Sequence, residues 1–182
     1  LQILLCDLAA YLHNKDMEIN VWDRIIAFEG RMHEFIKAAY DYQDNTFHSH
    51  PGYYIDYFEM RLAQLQVLHN LHYEIKKIRK MPKQALVIAD YIMYMTDYVV
   101  EMNIPDQQIE KLEEISEQMK QEELPKTREE FEGRALLYHI LMDLEEFLVY
   151  KKRFVNGLDE KKLRIYWKQE MEQNDSANEL QK

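Results

Sequence analysis

The sequence predicts an all-α protein, an up-and-down bundle of four long helices with shorter helices added to it. Three observations carry this. Glycine and proline number only four each in 182 residues, so the chain has few places to turn. Apolar residues recur at three- and four-residue spacings along most of its length, the period of a helix with one buried face. Strand-like alternation is absent over any useful length.

The first helix is expected over 1–13, with Leu1, Leu4, Leu5, Leu8 and Leu12 on one face. Residues 15–18 are a polar break. Asn20, with Asp23 three residues on, caps a second helix that carries Ile25, Phe28, Met32, Phe35, Ile36 and Ala39 inward and ends near 44–45. Gly30 inside it marks either a close helix approach or a tolerated weak point. Pro51 suits the first turn of a third helix running to about residue 80, with the stripe Tyr54, Phe58, Leu62, Leu65, Leu68, His72 and Ile75. A fourth helix is expected over 83–102, presenting Leu86, Ala89, Met93, Thr96 and Val100. Pro105 and Asp106 open a shorter fifth helix with Ile109, Leu112, Ile115 and Met119.

The stretch 124–154 organises the rest. Thr127 and Glu130 fit a capping box, in which the hydroxyl takes the N–H of Glu130 and the carboxylate reaches back to the N–H of Thr127. Glu129, Glu130 and Glu132 open the helix and Lys151, Lys152 and Arg153 close it, complementing the helix dipole. Leu137, Leu141, Leu144 and Leu148 form its buried stripe. Asn156 and Gly157 stop it. One more helix then carries Leu163, Tyr166 and Trp167, and the polar tail from Asn174 is expected to stay disordered. The domain reading is a bundle over 1–155, followed by a C-terminal helix and tail over 156–182.

Two stretches resemble a known family: LPKTREEFEGRALLYHILMDLEEFL at 124–148 and GYYIDYFEMRLAQL at 52–65. They are similar to the C-terminal domain of the putative aromatic acid exporter family of Gram-positive bacteria. The resemblance implies a helical domain on the cytoplasmic face of the membrane, following an N-terminal membrane domain absent here. It also implies that the membrane domain carries the transport path. The chain opens without Met on an apolar stripe that no cap precedes, and this is read as a helix entered partway.

Composition excludes several functions. The net charge of −10 repels phosphate backbones, so no nucleic-acid partner is expected. Cys6 is the only cysteine, which rules out an intrachain disulfide and a multi-cysteine metal site. No run approaches the 18 apolar residues of a membrane span. The sequence has no GxSxG and no glycine-rich phosphate loop, and no enzyme or cofactor is expected. His33, His69, His72 and His139 invite a metal site, but no helical histidine has Glu three residues before it, as di-iron bundles require. They are read as partly buried histidines with hydrogen-bonded partners.

Arg61 and Arg134 are the candidate functional cations. Each lies beside a buried stripe within a stretch that carries the resemblance. They are expected to be partly buried and paired with carboxylates such as Glu132, Glu59 or Asp143. In the functional reading they hold a small aromatic carboxylate, whose ring packs on Tyr53, Tyr54, Tyr57, Phe58 and Tyr138, with His139 nearby. In the simpler reading they are ion pairs that fix helix register. The leading expectation is a non-enzymatic exporter domain serving assembly, gating or sensing, with a homo-oligomer as one arrangement. The alternatives are a free-standing interaction domain that binds a partner helix and a metal-binding bundle.

Overall fold

A computed structural model describes residues 1–14, 20–45 and 51–167. These form α1 (Gln2–His13), α2 (Val21–Asn45), α3 (Pro51–Lys77), α4 (Ala85–Thr96), α5 (Asp106–Lys120), α6 (Arg128–Asn156) and α7 (Glu160–Tyr166), with no strand among the described residues. The protein is all-α. The polar break at 15–18, the loop with His48, Ser49 and His50, and the tail from Asn174 lie outside the described residues.

Six helices close a circuit around one core: α1 packs on α2, α2 on α3, α3 on α6, α6 on α5, α5 on α4, and α4 returns to α1. The longest seams run along α3, which has α2 on one side and α6 on the other. α2, α3 and α6 span 25, 27 and 29 residues. A second, smaller cluster gathers Tyr53, Met60, Phe154 and Trp167 where α7 meets α3 and α6.

The α6 stripe of Leu137, Leu141, Leu144 and Leu148 is buried as expected. Each such side chain contributes roughly 1.5–3 kcal/mol on leaving water. The Thr127 hydroxyl accepts from the N–H of Glu130 at 3.1 Å. The return half of the capping box lands one residue earlier than expected: the Glu130 carboxylate accepts from the N–H of Lys126 at 3.0 Å, while Arg134 holds its other oxygen at 2.6 Å. Gly157 stops α6 with φ −80°, so this end uses no left-handed residue.

Three expectations are corrected. α4 ends at Thr96 rather than near 102, and Leu86, Met93 and Val100 are exposed while Ala85, Ile88, Ile92 and Met95 are buried. Beyond its end the carbonyls of Val100 and Glu101 accept from cations on α3 and α6. On α3, Tyr53 is buried and Tyr54 exposed. On α2, Ile25 and Met32 are buried but Phe35 is exposed, its ring stacked on Phe58 of α3. The glycines also separate. A Cβ on Gly30 would meet nothing within 4 Å, whereas one on Gly133 would lie 3.0 Å from Pro82 Cγ and 3.4 Å from the Lys80 carbonyl oxygen. The close approach is therefore at Gly133, where α6 passes the segment joining α3 to α4.

Candidate functional site

The residues that carry chemistry meet where α3, α6, α7 and the α4–α5 connection converge. Tyr53, Tyr57, Met60 and Gln64 fall at spacings of four, three and four on α3, so all reach the α6 side. Arg61, a turn beyond Tyr57, is buried among them. Its Nε donates to the Tyr57 hydroxyl at 3.1 Å, Nη1 to Gln64 Oε1 at 2.8 Å, and Nη2 to the Val100 carbonyl at 3.0 Å. Gln64 Nε2 donates in turn to the Phe147 carbonyl on α6 at 2.8 Å. None of these partners is a carboxylate, contrary to the pairing expected for Arg61. The fork-shaped guanidinium instead serves three neutral acceptors on two elements.

Lys151 is the second buried cation, with only 4% of its surface exposed. The sequence groups it with Lys152 and Arg153 as charge that complements the dipole at the end of α6; the structure sets it apart from them by burial. Its ammonium donates to the Glu101 carbonyl. It lies 5.2 Å from the ring centre of Phe154, 5.5 Å from that of Trp167 and 5.9 Å from that of Tyr57. Burial, then the neighbouring Arg61 charge, push its pKa down to about 7, against the upward pull of Glu101. The signal was legible: Lys151 lies three residues after Leu148 and continues the alternating four-and-three spacing of the stripe.

Glu101 and Tyr53 complete the junction. The Tyr53 hydroxyl donates to Glu101 Oε1 at 2.7 Å and accepts from Trp167 Nε1 at 3.1 Å. Burial, then the bond to Glu101, raises the phenol pKa well above its ordinary value. The Tyr53 ring stacks on Tyr166 with centroids 3.9 Å apart. The space left beside Arg61 and Lys151 is about 10 Å³, enough for a single water and not for a carboxylate ligand. The junction is filled by the chain itself.

The other arginine lies elsewhere. Arg134 is 17 positions before Lys151 on α6, about 25 Å along the axis. It bonds Glu130 and donates to the Glu123 carbonyl at 2.6 Å, fastening the α5–α6 corner. Arg61 and Arg134 therefore do not share a site. The expected acidic partners are engaged otherwise: Glu132 bonds Arg128 at 2.8 Å and Glu59 accepts from Tyr40 at 3.1 Å. Asp143 Oδ2 is buried with no hydrogen-bond partner among the described residues, and burial lifts its carboxyl to about 6. Tyr138 and His139 lie exposed on the outer side of α6. Tyr54 and Phe58 turn toward α2 instead, where with Phe35, Tyr42 and Tyr166 they line an open aromatic groove of about 570 Å³.

The histidines are similarly dispersed. His69 packs edge-on to Trp22 at 4.6 Å, and among the described residues neither ring nitrogen of the buried His72 is bonded. Burial lowers the His72 pKa and favours the neutral ring. Among the described residues no three of His, Cys, Asp and Glu gather as a metal would require.

Fold and site together define a helical-bundle domain whose polar centre is internal. No helix among the described residues is long and apolar enough to cross a membrane. The chain belongs to the family of the putative aromatic acid exporter C-terminal domain, which it matches over residues 1–152. It is similar to the uncharacterized protein YqjA of Bacillus subtilis (strain 168), with 32% identity over 98 residues. That stretch is 54% of this chain and 30% of YqjA, so the match spans under a third of that relative. A crystal structure described as a putative membrane protein from Clostridium difficile 630 superposes with a TM-score of 0.74 at 26% identity, covering 84% of this chain and 90% of that one.

Proposed function

We propose that the chain is a non-enzymatic, cytoplasmic domain of a membrane exporter, joined to an N-terminal membrane domain, and that its work is the assembly of subunits. Family membership and the greater length of YqjA support the attachment. One observation carries the assembly role. With the core complete, α6 leaves large apolar side chains outward: Phe131 is 61% and Met142 65% exposed, and Leu124 just before the helix is 86% exposed. Such a surface is covered in a working assembly. The filled junction at Arg61 and Lys151 argues against a ligand there. Light scattering of this chain across a range of concentrations tests the reading. A defined oligomer is expected, and a monomer at every concentration overturns it.

The aromatic groove favours a second reading, the sensing of a small aromatic carboxylate, because Tyr54 and Phe58 line it. Titration calorimetry with benzoate is the test. Binding that Phe58→Ala abolishes supports this role, and no heat at millimolar benzoate removes it.

A further inference from the structure

We infer that two copies of this chain pair through the outer face of α6, antiparallel, about a two-fold axis level with the peptide between Leu136 and Leu137. The inference rests on the assembly reading and specifies its geometry.

At 100° per residue, Phe131, Ala135, Tyr138 and Met142 lie within about 60° of one another and roughly 150° from the mean direction of the buried positions of α6. They form an apolar stripe about 16 Å long on the side away from the core. Beside it a groove of about 230 Å³ opens between the stripe and Leu124, Pro125 and Met119.

The stripe is complementary to its own reverse. An antiparallel copy about that axis sets Phe131 against the partner's Met142, a thioether against an aromatic ring. It sets Ala135 against the partner's Tyr138, small against large, so the rings interdigitate. Arg128, whose side chain is 91% exposed, comes level with the partner's Glu145 and beside the partner's Glu146. Among the described residues Arg128 bonds its own exposed Glu132, and Glu146 accepts from Tyr150, so both are reachable. A parallel pairing would instead set Tyr138 against Tyr138 and Arg128 against Arg128, crowding the large rings and opposing like charges. A two-fold contact must be self-complementary, and here size and charge both satisfy this in one register. The groove beside Leu124 receives the partner's Met142.

Disulfide trapping in a Cys6→Ser background tests the geometry, with all variants made in this 182-residue chain. Carrying Phe131→Cys and Met142→Cys together, the chain should give a covalent dimer on mild oxidation. Either substitution alone should give none, because its two copies lie about 16 Å apart along the axis. The same separation prevents the paired cysteines from closing within one chain. Phe131→Glu with Met142→Glu should halve the mass seen by light scattering, while circular dichroism shows the helices intact. An oligomer that the paired cysteines fail to trap, or that single cysteines trap equally well, overturns this arrangement and leaves the assembly reading standing. A monomer at every concentration overturns both.

Discussion

Arg61 donates from Nη2 to the carbonyl oxygen of Val100 at 3.0 Å, so the middle of α3 fastens the chain just past the end of α4. Carbonyls in the connection after a helix have no intrahelical partners, and those turned inward need donors from elsewhere. Arg61 and Lys151 supply them at two successive residues, Val100 and Glu101. The junction is thus a device for closing the bundle as well as a cluster of charge.

Replacing Arg61 should therefore weaken the whole fold. Arg61→Met leaves Val100, Gln64 and Tyr57 short of a donor, and a loss of about 2–4 kcal/mol is expected in urea unfolding. Arg61→Lys should recover little, because one ammonium cannot serve three acceptors in the directions the guanidinium does. Full recovery by lysine would contradict the role assigned to the fork.

Lys151 should give the stability a pH dependence of definite sign. Its pKa is about 7 in the folded chain against an ordinary value of 10.5. Between these values the unfolded chain binds the proton and the folded chain does not, so stability rises as pH rises above 7. The full cost of the buried charge is present below pH 7. Across pH 7–9 the rise should be about 2–3 kcal/mol. The charged groups facing Lys151 are Arg61 on α3 and Glu101 before α5. In Lys151→Met the rise should vanish, and the variant should be the more stable one at pH 6. Parallel pH profiles for the two proteins would rule this account out.

The two helical glycines should respond in opposite directions to alanine. Gly30→Ala adds a methyl to open space and should stabilise by about 1 kcal/mol through helix propensity. Gly133→Ala presses on Pro82 and the Lys80 carbonyl, and overpacking of about 1–3 kcal/mol should outweigh the same propensity gain. Thermal unfolding of both variants checks the signs.

Trp167 and Tyr53 should behave as coupled positions. Trp167→Phe removes the donation to the Tyr53 hydroxyl and should cost about 1 kcal/mol. Combined with Tyr53→Phe, the total should fall short of the sum of the single losses, because both changes break the same bond. Strict additivity in a double-mutant cycle would show that the indole N–H contributes nothing through Tyr53.

Much of the fold was legible in the chain order. The caps at Asn20 and Thr127, Pro51 at the first turn of α3 and the leucine stripes of α1 and α6 are local signals, set by backbone donors and by the helical period. They act within a few residues and survive folding unchanged. The candidate site was legible only in pieces. Tyr57 and Arg61 belong to the junction; Tyr54 and Phe58 face α2, and Arg134 and Tyr138 lie toward the other end of α6. The misplaced stripe of α4 has the same origin, since packing against α1 decides which of its faces is buried.

The sequence by itself determined an all-helical protein, the position of most helix starts, and membership of an exporter-domain family. Those follow from hydrophobic period, capping chemistry and motif, all of which are read along the chain. Only the tertiary structure decided which polar groups are interior. Lys151 is chemically the twin of its neighbour Lys152, yet one is 4% exposed and the other lies outward at 45% side-chain exposure. That difference depends on which face of α6 meets α3 and α7. The angle is fixed by packing between elements up to 114 residues apart, as between Tyr53 and Trp167.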